Sequence, residues 1–130
     1  MAVTVTKTTL TALNTLTTVT KNLATADTDS LAEVFTITPT KKDGKCALLI
    51  GTLPTGTPDG DITYSVTAGT HWAGAAISGT FTKGIAERMI QLDTAKVLSA
   101  AGTILLTLTP ASTDKLVTDH AAYVKFLQIL

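Results

Sequence analysis

Two histidines, one cysteine and two pairs of closely spaced aspartates are the side chains of this sequence best equipped for chemistry. His71 and His120 belong to no H-x-x-x-H or H-x-H pattern, so neither starts a local zinc site. His71 stands beside Trp72, the only tryptophan, between Gly69 and Gly74 in "GTHWAG". Together they could stack against a ligand, although a tryptophan after a strand ordinarily plugs the end of a core and leaves its neighbour at the surface. His120 follows Asp119, and a carboxylate that orients an imidazole can make it a general base. Consecutive residues of a strand point to opposite faces, however, so this pair is not expected to meet. Cys46 as a nucleophile would need a partner base and an electropositive setting. With Ala47, Leu48 and Leu49 beside it, it reads as a small buried hydrophobe.

Asp27 and Asp29 in "ADTDS", and Asp59 and Asp61 in "TPDGDI", have the i, i+2 spacing of calcium loops. Calcium takes about six to eight oxygens, and neither stretch continues into the full loop pattern. Turn formation and strand starts account for them, since Asp-Gly is a preferred turn dipeptide. Lys41, Lys42 and Lys45 form a small basic turn without the arginines and stacking aromatics that phosphate or nucleic-acid binding wants. Phosphate-loop, dinucleotide, nucleophile-elbow and C-x-x-C patterns do not occur. No catalytic, cofactor-binding or metal-ligating residue is therefore assigned, and a non-enzymatic chain without a cofactor is expected.

The elements around these residues read as β. A chain of 130 residues suits one domain with a true core. Ten basic residues balance ten acidic ones, which removes any overall pull toward nucleic acid or an acidic membrane. The single cysteine excludes an intrachain disulfide. Nothing resembles a secretory leader or a membrane span, so synthesis as a soluble cytosolic protein is expected. Threonine supplies 28 residues while aromatics are 5%, and β-branched threonine suits the half-exposed face of a sheet.

Residues 1–30 hold eleven threonines and neither an aromatic nor a glycine. Val3 and Val5 alternate, whereas Leu10, Leu13 and Leu16 recur every third residue, and neither period is sustained. This segment is expected to be an arm, extended or partly ordered, ahead of a domain over 31–130. There, "EVFTITP", "KCALLIGT", "DITYSVTAG", "ISGTFT", "IAERMIQL", "GTILLTLTP" and "AAYVKFLQIL" read as strands. "KCALLIGT" is expected to be covered on both faces, and "ISGTFT" and "IAERMIQL" to form a hairpin around Lys83-Gly84. "DTAKVLSAAG" predicts one or two helical turns from Asp93 as N-cap toward Gly102, and "PASTDKLVTDH" a polar loop. The sum is an all-β antiparallel β-sandwich, Ig-like or jelly-roll-like, with a small barrel as the other architecture.

Taken in order, "VFTITPTKKDGKCALLI", "ITYSVTAGTHWAG", "IQLDTAKVLSAAGTILLTLTP" and "YVKFLQIL" resemble the capsid decoration (auxiliary, or cement) proteins of tailed bacteriophages, over roughly residues 35–130. The resemblance implies a β-sandwich on the outside of the phage head. Its partner would be the major capsid protein of the shell, its state a homo-oligomer, with a trimer favoured, and its arm would reach onto the shell or neighbouring subunits. It further implies a virion location after synthesis in the host cytoplasm, and no contact with nucleic acid or membrane. A phage tail protein is the other reading within that class. A carbohydrate-binding module using "THWAG" and "LPTGTPDGD" as ligand loops is the reading outside it.

Overall fold

The structure, a computed structural model, describes residues 2–11, 15–53, 56–70 and 74–129. Among them the chain forms ten strands and one helical turn: β1 Ala2–Thr4, β2 Thr8–Leu10, β3 Asn22–Leu23, β4 Glu33–Ile37, β5 Lys45–Gly51, β6 Ile62–Val66, β7 Ile77–Phe81, β8 Glu87–Asp93, α1 Thr94–Val97, β9 Ile104–Thr109 and β10 Tyr123–Ile129. The first sheet runs β1-β4-β9-β6-β7, and the second β2-β10-β5-β8 with β3 beside β2 on the same side of β10. The protein is an all-β sandwich, and its core lies between these two layers.

Strict alternation positions the core. In β9, Ile104, Leu106 and Leu108 are fully buried while Leu105, Thr107 and Thr109 are half-buried. Each buried aliphatic stabilises the fold by roughly 2 kcal/mol. Phe35 and Ile37 of β4 flank them on one side, and Ile62 and Val66 of β6 on the other. Across the interior lie Cys46, Leu48 and Ile50 of β5, Leu92 of β8, and Val124 and Phe126 of β10. β5 is central in its sheet but covered on one face only, since Ala47 and Leu49 on its other face remain half-exposed.

Several expectations are corrected. "ISGTFT" and "IAERMIQL" are not a hairpin: β7 pairs with β6 in the first sheet and β8 with β5 in the second. Residues 82–86 cross between the layers, because Phe81 and Leu92 fill the core from opposite sides. Gly84, at φ +79°, makes the crossing turn, a conformation that glycine adopts without steric cost. The helix is one turn, within the one or two expected, but it stops at Val97 instead of running toward Gly102. Asp93 ends β8 and makes no side-chain cap, and the backbone is extended again at Leu98. Gly102, also at φ +79°, instead shapes the turn in which the Ser99 amide donates to the Thr103 carbonyl at 2.8 Å. "PASTDKLVTDH" is not simply polar loop, since Leu116 is fully buried and Asp114 and His120 nearly so.

The sheets are also mixed rather than purely antiparallel. The two parallel pairings, β1 with β4 and β2 with β10, both involve residues 2–10. Those residues run in one direction across one side of the sandwich, adding first to one layer and then to the other. The Val5 amide donates to the Thr36 carbonyl at 2.9 Å and the Lys7 ammonium to the Thr38 carbonyl at 2.9 Å. Val5, Ala24 and Ala26 are buried, so the segment expected as an arm packs in these stretches against its own core. Between them, Leu16 is fully exposed.

Candidate interaction surface

The residues singled out for chemistry are brought together in one case only, and with a different partner. The His120 ring lies 3.1 Å from the Asp114 carboxylate, not beside Asp119, which instead accepts from the Lys115 amide at 2.7 Å. Asp114 also accepts from the Asp59 and Gly60 amides at 2.9 and 3.0 Å. Burial alone would raise the Asp114 pKa, but the Asp59 and Gly60 amides and His120 outweigh it and hold the carboxyl below its ordinary range. Both side chains are about 1% exposed, which leaves no room for a substrate. Their geometry ties the loop 56–61 to the loop 111–122.

Three of the four paired aspartates, Asp27, Asp59 and Asp61, have similar structural duties. Asp27 accepts from the Thr118 hydroxyl at 2.6 Å and the Thr118 amide at 3.1 Å, and these bonds lower its pKa. Asp59 accepts from the Thr113 hydroxyl and Asp61 from the Lys83 amide, each at 2.9 Å. Among the described residues, no cluster of three or more His, Cys, Asp or Glu side chains is arranged to hold a metal. Cys46 is buried, which pushes its thiol pKa up and away from nucleophilic use. The Gln128 amide accepts from the Lys41 amide at 2.8 Å and donates to its carbonyl at 2.7 Å, so the basic turn is fastened to β10. His71 and Trp72 lie outside the described residues, and with them the heart of the sugar-stacking reading.

The surface most open to a partner is the outer face of the second sheet. Register aligns Tyr123, Gly51 and Glu87 in one row, then Lys125, Leu49 and Met89, then Leu127, Ala47 and Gln91. At one end the row is polar and fixed. The Tyr123 ring lies across Gly51, where any Cβ would strike it. Its hydroxyl donates to Glu87 at 2.7 Å, and Lys125 reaches the same carboxylate at 2.9 Å. The Lys21 ammonium sits 4.4 Å from the ring centroid, within cation–π range. Lys125 and Tyr123 lower the Glu87 pKa, while burial and Glu87 push the Tyr123 phenol up to about 12.

At the other end the face is apolar. Leu10, Cys46, Ala47, Met89, Leu127 and Ile129, with Lys45 and Gln91 as the polar members, line an open hollow of about 260 Å³. Ala47 creates it by standing small between Gln91 and Leu127. Met89 is 64% and Ile129 71% exposed, and contiguous apolar surface of this kind marks contact sites. Sequence reading missed this strip because each of its residues looks like the second face of a buried strand. The alternation in "IAERMIQL", with Met89 out of phase with Ile90 and Leu92, is the signal that points to it.

No family model matches the chain, and no curated protein matches it. Among the described residues no helix is long and apolar enough to cross a membrane.

Proposed function

We propose that this chain is a non-enzymatic virion structural protein. In this reading it binds the major capsid protein on the outer surface of a tailed-phage head, as a homo-oligomer with a trimer favoured, and stabilises the shell after synthesis in the host cytoplasm. The observation that carries the reading is the exposed apolar strip on the outer face of the second sheet. It belongs to a molecule whose best-placed polar side chains, Asp114, His120, Asn22 and Gln128, hold main chain and loops together. The resemblance of its segment order to that of decoration proteins supports it as well.

The physics suits the role. Apolar contact contributes roughly 25 cal/mol per Å² removed from water, so a strip of this kind gives a modest affinity per copy. Many copies joined by a symmetric lattice then act at high effective concentration. A rigid sandwich adds to this by losing little conformational freedom on binding.

The test is cosedimentation with mature shells of the cognate phage. The protein is expected to pellet saturably, and Met89→Asp, at an exposed position that the fold does not depend on, to weaken this by about tenfold. Absence of saturable binding by the unaltered protein would sink the reading.

A further inference from the structure

The two sides of the sandwich differ. On one, residues 2–10 cover the margins of both sheets by pairing with β4 and then β10. On the other, among the described residues β7 pairs only with β6 and β8 only with β5, so both margins keep a row of main-chain groups that no described strand covers. Between these margins lies a cavity of about 190 Å³ lined by Ile50, Tyr64, Phe81, Arg88 and Ile90, with Thr80 and Met89.

Two polar groups in this cleft lack an internal partner. Arg88, the only arginine of the chain, is exposed at the mouth of the cleft, on the side of β8 that is in register with buried Ile50. It makes no ion pair or hydrogen bond among the described residues. It is also the only formal charge among the lining residues. Glu87 lies on the opposite face of β8, held by Lys125 and Tyr123. Tyr64 lies across Gly79, where a Cβ would meet its hydroxyl, so its ring extends over the outermost strand of the first sheet. That hydroxyl likewise has no partner among the described residues.

We propose that this uncovered side receives an extended segment of a partner protein that pairs along β8 and places an Asp or Glu carboxylate between Arg88 and Tyr64. An arginine fork and a phenol are both donors, and a carboxylate accepts from both. Ile50, Phe81 and Ile90 supply apolar walls for the residues beside it, and the free margin supplies main-chain pairing. A partner strand that brings only apolar side chains would have to cover the Arg88 charge without pairing it, which sharpens selection for an acidic one. This deepens the shell-binding reading by naming what the partner must present, and it rests on that reading for the partner's location.

The test uses the full chain and labelled alternating Thr-Val peptides whose central residue is Glu, Gln or Lys. Anisotropy reads affinity, and amide shifts read the position. The Glu peptide is expected to bind about tenfold tighter than the Gln peptide, with Lys weakest, and to shift the amides of Arg88–Leu92. Arg88→Gln should abolish the preference for Glu, and Tyr64→Phe should reduce it. Equal affinities for Glu and Gln, shifts confined to other strands, or no binding by any peptide would each overturn the proposal. Shell cosedimentation separates the two readings. If the unaltered protein and Arg88→Gln pellet alike, shell binding stands and this cleft has no part in it; if neither pellets, the shell reading fails and the peptides alone decide the cleft.

Discussion

At the scale of single residues, Asp114 is the charged group that ties two distant loops together. It is nearly inaccessible, accepts from two backbone amides and a histidine ring, and joins two loops distant in sequence. Replacing it by alanine leaves His120 and the amides of Asp59 and Gly60 without an acceptor, at a cost of about 3 kcal/mol. Thermal or urea unfolding measures that loss. The pH dependence has a definite sign. The folded Asp114 pKa lies below its ordinary value of 3.8, so its stabilisation is complete above that pH and is lost as pH falls through the folded value. Asp27 and Glu87, also lowered, act in the same direction. The melting temperature is expected to fall below about pH 4, and Asp114→Ala to show a shallower acid limb. An identical limb in both proteins would contradict this assignment.

At the scale of elements, short side-chain amides do what long strands do elsewhere. β1, β2 and β3 have two or three residues each, too few to hold their places by ladder bonds alone. Asn22 makes up the difference. It accepts from the Thr6 amide at 2.7 Å and donates to the carbonyls of Thr6 at 3.2 Å and Val124 at 3.0 Å. Glu33, fully buried at the start of β4, accepts from the Thr25 and Ala26 amides at 2.8 and 2.9 Å and from the Thr25 hydroxyl. Asn22→Ala is expected to cost about 2 kcal/mol and to speed amide exchange in residues 2–10 and 20–24 well above the rest. Uniform exchange would argue against a local latch. These positions also mark where sequence reading stops. The strands over 33–129 are legible because their alternation is local and each exceeds four residues. Asn22 and Glu33 are silent. The farthest Asn22 partner is 102 residues away. Glu33 has partners only 7 and 8 residues back, but it sits at a strand start, where alternation does not reveal a buried carboxylate. The sheet assignment of β7 and β8 is likewise silent, because a turn dipeptide specifies a reversal and not which layer the chain enters next.

At the scale of the whole molecule, the first thirty residues decide how many margins the sandwich exposes. A chain starting at Leu31 loses the buried Val5, Ala24 and Ala26 and uncovers β4 and β10 as free edges. It is expected to melt about 10 °C or more below the intact protein and to associate into larger species by light scattering, as free edges do. An unchanged melting temperature would show the segment to be dispensable. The same connectivity governs the order of events in synthesis. Residues 8–10 pair with residues 127–129, and Asn22 with Val124, so β2 and β3 wait for β10 to leave the ribosome, whereas β1 needs only β4. Until then the second sheet lacks the strand that joins β2 and β3 to β5, and its assembly follows translation rather than accompanying it. β2 and β3 are thus the strands that stand longest without their partner, and a chaperone serving this protein would be needed most by them.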